Sequence, residues 1–185
     1  MRFALALTIL AATALAQPLA ASEAAWQALR DGGTVALLRH ARAPGTGDPA
    51  GFKLEDCSTQ RNLSEEGREQ ARQLGETFGD RQIPVTRVLS SRWCRSLDTA
   101  RLAFGDRAEP YPPLDSFFRS RGDREAQTEA VRELVRGWSS EGVLVLVTHQ
   151  VNITALTDVF PAEGEVIVLR PKAEDGFDLV GRIRM

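Results

Sequence analysis

Two short apolar runs rich in β-branched residues constrain the fold of this chain more than any other feature. They are TVALLR at residues 34–39 and GVLVLVTH at residues 142–149. Neither run alternates polar with apolar residues, which is typical of strands in a parallel sheet that helices cover on both faces. Since amphipathic helical patterns separate the strand patterns, the sequence predicts a three-layer α/β domain with a largely parallel central sheet.

The remaining elements follow from the same patterns. TRVLSS at residues 86–91 is predicted as another strand, and EVIVLR and FDLVGRIR near the C-terminus as a hairpin at the sheet edge. Helices are predicted at residues 22–31, with Ser22 as N-cap, within 63–78, with Ser64 as N-cap, after the strand at 86–91, at 124–138 and at 151–160. A loop of unusual length, residues 41–62, is rich in Gly, Pro and Asp, and loops longer than about 15 residues are mostly functional or disordered.

The N-terminus has the pattern of a secretory signal peptide. One Arg precedes an apolar stretch at residues 3–16, and small residues follow, with cleavage sites predicted after Ala16 or between Ala20 and Ala21. We therefore expect a signal peptide at residues 1–21, a mature domain at 22–185, and a secreted or periplasmic protein. The apolar stretch is short for a bilayer span, so no stable membrane insertion is expected once the signal is removed, an uncleaved anchor being the alternative.

The predicted export affects how the two cysteines, Cys57 and Cys94, are interpreted. In an oxidising compartment an even pair of cysteines favours a disulfide, and a buried pair of free thiols is the alternative. Neither cysteine belongs to a Cys-x-x-Cys pair, which disfavours a zinc site.

Charge excludes one class of partner. The 185 residues carry a net charge of −2, and Lys and Arg are scattered along the chain. A protein that binds nucleic acid concentrates positive charge, so no nucleic-acid partner is expected.

Polar residues follow three of the predicted strands at the point where each strand ends. Because carboxyl ends of parallel strands share one edge of the sheet, these residues should converge on one crevice. Two imidazoles and several guanidiniums in a crevice indicate an anion, and phosphate matches the arginine forks. The residues are Arg39, His40, Arg42, Ser90, Ser91, Arg92, Arg95, Thr148, His149 and Gln150.

Four motifs, in order from residue 34 to 157, resemble those of the histidine phosphatase superfamily, which includes phosphoglycerate mutase-like and acid phosphatase-like enzymes. LLRHAR is similar to its Arg-His-Gly motif, and NLSEEGREQA to its Leu-x-x-x-Gly-x-x-Gln-Ala helix start. SSRWCRSLDTA is similar to its Ser-x-x-x-Arg-x-x-x-Thr-Ala segment, and VLVTHQ resembles the strand with its second histidine. The resemblance implies a phosphoglycerate mutase-like fold.

The resemblance also implies roles for individual residues. His40 would be the nucleophile that accepts the phosphoryl group, Arg39 and Arg95 would hold the phosphate oxygens, and His149 would complete the pocket. We also expect Arg42 in substrate binding, whereas Arg61 and Arg92 are interpreted as surface or loop arginines, with a place in the pocket as the alternative. Neither a metal nor a cofactor is expected. Nearby guanidinium charge should keep the attacking imidazole neutral, and a backbone carbonyl should accept a hydrogen bond from its other ring nitrogen.

The sequence departs from the family pattern in three places. Ala41 stands where the family has Gly, and Gln150 follows the second histidine where Gly is common. The carboxylate that protonates the leaving oxygen in the family has no obvious Glu. Asp115 is our first choice for that general acid because of its distance after Arg95, and its rivals are Asp123, Glu55 and Asp56.

The function expected from this resemblance is that of an exported phosphatase acting on a small phosphorylated substrate. Within that class the alternatives are phosphatases of narrow specificity for a phosphohistidine or for a lipopolysaccharide-type phosphosugar. A catalytically silent phosphate-binding module of the cell envelope is the alternative from another class. It is considered because the sequence has no obvious Glu for the general acid of the family.

Overall fold

Strand β1 (Thr34–Arg39) and strand β4 (Val143–Thr148) pair in parallel at the centre of a six-stranded sheet. The structure is a computed structural model, and it describes residues 16–119, 123–173 and 176–185. The other strands are β2 (Val85–Ser90), β3 (Ala108–Pro110), β5 (Val166–Lys172) and β6 (Gly176–Ile183). Their order across the sheet is β3-β2-β4-β1-β5-β6.

The direction of the strands agrees with the predicted fold. The four strands β3, β2, β4 and β1 are mutually parallel, and β5 and β6 form an antiparallel hairpin along the other side of β1. The α/β fold, the largely parallel sheet and the hairpin at the sheet edge are therefore confirmed. The three-residue strand β3 was not predicted, because so short a segment leaves no periodic pattern in the sequence.

Among the described residues, five α-helices cover the two faces of the sheet. They are α1 (Ala16–Asp31), α2 (Glu65–Asp80), α3 (Cys94–Phe104), α4 (Arg124–Arg136) and α5 (Gln150–Thr157). Short 3₁₀ turns lie at Cys57–Thr59, Gly105–Arg107 and Pro112–Leu114. Helices α1, α2 and α3 pack on one face through a shared apolar cluster, whereas α4 and α5 pack on the other.

Strand β4 shows why its sequence carries no alternation. Val145 and Val147 belong to the apolar cluster on one face of the sheet, and Leu144 and Leu146 belong to the cluster on the opposite face. All six residues of the strand are buried. A strand sandwiched between two helical layers needs apolar side chains in both directions, which accounts for the continuous run.

The start of helix α1 differs from the prediction. The helix runs continuously through Ser22, which is therefore not an N-cap, and through both predicted cleavage positions. Ala25, Trp26 and Leu29 are buried on its inner face, as expected. Most of the predicted signal peptide, residues 1–15, lies outside the described residues. Among those that are described, no helix is both long and apolar enough to cross a membrane.

Candidate active site

Parallel pairing of β1 with β4 brings the two histidines of the chain together. The register aligns Arg39 with Thr148, so the next residues, His40 and His149, leave the sheet side by side. The His40 amide donates to the Thr148 carbonyl at 2.9 Å. The two imidazole rings lie edge to face, with their centroids 5.4 Å apart. Both are buried at the carboxyl edge of the sheet, where an open α/β fold places its ligands.

Hydrogen bonding fixes the tautomer of His40. Its Nδ1 lies 2.8 Å from the carbonyl oxygen of Ala41, which only accepts, so Nδ1 carries the proton and Nε2 keeps a free lone pair. The pKa of the ring lies well below its usual value, first because burial disfavours the imidazolium, and next because of the positive charge of Arg95. The pKa of His40 is lowered, as expected, but burial lowers it more than the guanidinium charges do.

His149 is held by a chain of three hydrogen bonds. A terminal nitrogen of Arg95 donates to its Nδ1 at 3.4 Å, so its Nε2 carries the proton and donates to Ser91 Oγ at 2.8 Å. Ser91 in turn donates to Asp115 Oδ1 at 3.3 Å. Burial first, and then the charge of Arg95, hold the pKa of His149 well below its usual value. Both imidazoles are therefore neutral near neutral pH.

Three arginines line the cavity next to these rings. Arg39, Arg61 and Arg95 border a cavity of about 380 Å³ that both histidines also line. The Nε atom of each of the three is buried and has no hydrogen-bond partner among the described residues. Three guanidiniums outnumber the two carboxylates that pair with them, Asp48 with Arg95 and Glu163 with Arg39 and Arg61. The pocket therefore keeps net positive charge beside two neutral imidazoles, which favours an oxyanion.

A carboxylate that the sequence analysis did not single out lies in this pocket. Asp48, in the long loop, receives hydrogen bonds from both terminal nitrogens of Arg95, at 2.8 and 3.3 Å, and from the indole of Trp93 at 3.0 Å. Its side chain is 8% exposed. Burial alone would raise the pKa of Asp48, but the hydrogen bonds and the charge of Arg95 hold it below its usual value. No local signal marks this aspartate, since the pair spans 47 residues.

The helix-start motif of α2 positions the loop that follows His40. Gly67 lies so close to this loop that a Cβ at that position would be 2.0 Å from the carbonyl oxygen of Arg42. Gln70 accepts from the Arg42 amide at 3.0 Å and donates to the carbonyl of Glu163 at 3.0 Å. The Gly-x-x-Gln spacing thus sets the path of the backbone beside His40.

Helix α3 presents the third motif to the site. Arg95 and Thr99 are one helical turn apart, and Thr99 accepts a hydrogen bond from the Ala41 amide at 3.0 Å. Ala41 is buried, and its φ is not in the left-handed region, so alanine fits where the family has glycine. Gln150 begins α5 and donates to Thr154 at 2.9 Å, and it also lines the cavity.

Cys57 and Cys94 are joined by a disulfide, with an S–S distance of 2.00 Å. Cys94 directly precedes Arg95, and Cys57 lies in the loop that carries Asp48. The bond therefore ties the long loop to the helix that presents the arginine. The amide of Cys94 also donates to Gln60 Oε1 at 3.0 Å, which adds a second tie at the same place.

Asp115, our first choice for the general acid, does not line the cavity. Its Oδ1 accepts from the Arg92 amide at 2.8 Å, and its Oδ2 pairs with the Arg92 guanidinium at 2.6 Å. Both carboxylate oxygens of Asp115 are therefore engaged by Arg92. Asp115 instead accepts from Ser91, which bonds to His149, so the structure gives no support to the prediction that it is the acid.

The rival acids do not reach the cavity either. Glu55, Asp56 and Asp123 are absent from its lining. Asp56 instead caps the short turn at Cys57–Thr59, where its carboxylate accepts from the Ser58 amide at 3.0 Å. Asp123 is the residue before α4.

Two of the remaining arginines do not lie where they were predicted, in the pocket or at the surface. Arg42 is exposed and does not line the cavity, so its expected role in substrate binding is not supported. Arg61, interpreted as a surface residue, does line it. Chain direction explains the exchange, because the loop turns Arg42 outward against α2 and returns past the pocket at Arg61. Arg92 is exposed, as expected, and pairs with Asp115.

Comparisons with known proteins place these observations in context. Residues 35–117 match the model of the histidine phosphatase superfamily (branch 1). No curated protein sequence matches the chain. Within the described residues, no group of three or more His, Cys, Asp or Glu side chains is arranged to hold a metal ion.

Solved structures share the fold at low sequence identity. The protein histidine phosphatase SixA complexed with tungstate is 15% identical to this chain and has a TM-score of 0.61. The superposition covers 81% of this chain and 96% of the SixA chain. YhfR from Bacillus stearothermophilus is 16% identical, with 79% and 94% covered and a TM-score of 0.56. The mycobacterial glucosyl-3-phosphoglycerate phosphatase in complex with VO3 is 20% identical, with 74% and 92% covered and a TM-score of 0.53.

Proposed function

We propose that this chain is an exported histidine phosphatase that hydrolyses phosphomonoesters through a phosphohistidine on His40, without a metal ion. The observation that carries the proposal is the state of His40. Its ring is neutral, its Nδ1 proton is committed to the Ala41 carbonyl, and its free Nε2 belongs to a ring that lines a cavity with three arginines. A nucleophilic imidazole needs all of these features.

The reaction takes place in two steps. Nε2 of His40 attacks phosphorus, forming an N–P bond as the ester P–O bond breaks and the alcohol leaves. Water then attacks the phosphohistidine, the N–P bond breaks, and orthophosphate is released. Arg39, Arg61 and Arg95 stabilise the charge on the transferring oxygens, which is where most catalysis of phosphoryl transfer arises.

The proton for the leaving oxygen has no dedicated donor among the acids expected from the sequence. Asp48 lines the cavity, but its lowered pKa keeps it ionised near neutral pH. We infer that solvent protonates the leaving alkoxide. The rate should then depend strongly on the acidity of the leaving alcohol, because no general acid offsets a poor leaving group.

Two neighbours of known structure support an oxyanion in this pocket. One is complexed with tungstate, a tetrahedral dianion like hydrogen phosphate, and the other with VO3, which has the composition of the transferred PO3 group. The name of the first protein indicates a protein phosphohistidine as its substrate, and that of the second a phosphorylated sugar derivative. These correspond to the two alternatives of narrow specificity. Both belong in any panel of candidate substrates.

Export is supported by two independent features. The first 21 residues have the pattern of a signal peptide, and the Cys57–Cys94 disulfide suits an oxidising compartment. Fractionation of the producing cells, with N-terminal sequencing of the mature chain, tests this part. Recovery of an intact N-terminus in the cytoplasm would contradict it.

A second candidate function is a phosphate-binding module without turnover. It is favoured by the carboxylate of Asp48, which engages Arg95, and by the displacement of Asp115 from the cavity. Such a module would bind orthophosphate or vanadate and turn over no phosphoester.

One experiment separates the two. The mature chain and His40→Ala are given a broad phosphoester panel, with and without chelator, and rapid quenching traps phosphate on the protein. We expect turnover that chelator leaves unchanged, and an acid-labile phosphoenzyme, both lost in His40→Ala. Thermal unfolding shows whether the variant is folded. Near-normal activity in folded His40→Ala would refute the mechanism, and vanadate binding without turnover in the unmodified chain would favour the binding module.

A further inference from the structure

The mouth of the active-site cavity is aromatic. Among the described residues, four large hydrophobic side chains are exposed, and two of them, Phe118 at 50% and Phe160 at 69%, line this cavity. Phe52 and Trp93 line it as well. Large apolar side chains left in water around a pocket mark a surface that binds an apolar ligand.

Ring contacts connect the nucleophile to this mouth without a break. The His40 and His149 centroids are 5.4 Å apart, those of His149 and Trp93 5.6 Å, and those of Trp93 and Phe52 5.6 Å. A phosphoryl group bound at His40 therefore has aromatic surface beside it on the way out of the cavity. The organic group attached to that phosphate would lie against these rings.

The position of Phe118 over the cavity is set by the long loop. A Cβ added at Gly47 would lie 3.5 Å from Cε1 of Phe118, so the ring packs on the backbone next to Asp48. Phe117 and Phe118 are adjacent in the chain but lie in different environments. Phe117 is 5% exposed and packs in the protein interior, whereas Phe118 lines the cavity.

Among the polar residues that line the cavity, the carboxylate and the amide nitrogen that could bind a polyol are already engaged, which leaves the hydroxyls of Thr46 and Ser116. Sugar hydroxyls are recognised by carboxylates and amides with free hydrogen-bonding atoms. Asp48 is engaged by Arg95 and Trp93, and the amide nitrogen of Gln150 donates to Thr154. Of the four arginines that line the cavity, Arg39, Arg61 and Arg95 are suited to the phosphate, and Arg119 lies over the Phe52 ring.

We propose that the preferred substrate is a phosphomonoester whose alcohol carries an aromatic or comparably flat apolar group, held between Trp93, Phe118 and Phe160. This inference rests on the proposed phosphatase function and narrows it. It places sugar phosphates and other highly hydroxylated esters among the poor substrates.

Binding of stable analogues tests the substrate class without relying on turnover. The probes are 1-naphthylmethylphosphonate and methylphosphonate, which share the anion and differ in the ring. We expect the naphthyl compound to bind at least about 10-fold more tightly, as burial of an aromatic surface predicts. The double variant Phe118→Ala/Phe160→Ala should reduce that ratio severalfold. Leu179→Ala, which truncates an exposed apolar side chain outside the cavity (43% exposed), is the matched control and should leave the ratio unchanged.

Turnover is measured in parallel with 2-phenylethyl phosphate and glycerol 1-phosphate, whose alcohols are both primary. A preference for the phenyl ester in kcat/KM supports both proposals. A large phosphonate ratio without turnover of any ester upholds the aromatic site and refutes the phosphatase. Turnover with equal kcat/KM, or a phosphonate ratio near one, refutes the aromatic site, and so does a high ratio that survives in the double variant.

Discussion

The carboxylate of Asp48 spans the two terminal nitrogens of Arg95, at 2.8 and 3.3 Å, on a guanidinium assigned to phosphate binding. A fork of this kind is how an arginine holds a phosphate, so Asp48 places a negative charge where an oxyanion would bind. The same carboxylate also accepts from the indole of Trp93 and from the Arg61 amide. Asp48 therefore organises the pocket and opposes the anion that enters it.

Removing that charge should strengthen anion binding. In Asp48→Asn the side chain keeps its shape but no longer repels an anion. We expect the dissociation or inhibition constant of orthophosphate to fall about 5- to 10-fold, equivalent to about 1 kcal/mol. Asp98→Asn, which removes a negative charge on the same helix as Arg95 but outside the cavity, is the control. Weaker phosphate binding in Asp48→Asn alone would show that the carboxylate chiefly positions Arg95.

The two histidines should resist protonation. Because burial and Arg95 hold the pKa of each ring well below its usual value, neither should titrate between about pH 8 and about pH 6. The unfolded chain takes up protons near pH 6.5, so stability should fall as the pH drops below that value. The chain has only two histidines, so imidazole NMR signals of untagged protein report on both.

The same spectra test the tautomers. Nitrogen-15 shifts should place the proton on Nδ1 in His40 and on Nε2 in His149, as their partners Ala41 and Arg95 require. Titration of either ring with an ordinary midpoint, or the reverse tautomers, would contradict the proposed arrangement of donors.

The disulfide should contribute substantially to stability. It closes a loop between residues 37 apart, and bonds of this kind contribute about 2–4 kcal/mol to the free energy of unfolding. Cys57→Ser/Cys94→Ser should be destabilised by that amount in chemical denaturation. Reductant should have the same effect on the unmodified chain and none on the double variant. If reductant leaves the unmodified chain unchanged, the bond is not formed in solution.

Two glycines of helix α2 provide a matched test of the loop after His40. A Cβ at Gly67 would collide with the Arg42 carbonyl, whereas a Cβ at Gly79 would meet no atom within 4 Å. We expect Gly67→Ala to destabilise by about 1–3 kcal/mol and to impair phosphate binding. Gly79→Ala should be neutral or stabilising by up to about 1 kcal/mol, because alanine favours the helix. Equal effects of the two substitutions would contradict the close approach.

Much of the fold was determined by local sequence patterns. The run at Thr34–Arg39 was predicted with its observed bounds, and β4 within one residue at each end, because a strand buried on both faces must be apolar throughout. Helix α2 was predicted from its Ser64 cap, which accepts from the Gly67 amide as expected. Such signals depend on neighbours in the chain and are visible without a structure.

The sequence also determined which ends of the strands meet. Once β1 and β4 are parallel neighbours, His40 and His149 follow their last residues, and parallel strands end at the same edge of the sheet. What only the tertiary structure decided is how the loops return to that edge: Asp48 and Arg61 enter the pocket, Arg42 turns outward, and Asp115 pairs with Arg92. These contacts join residues far apart in sequence through segments without periodicity, and packing against the finished sheet alone fixes them.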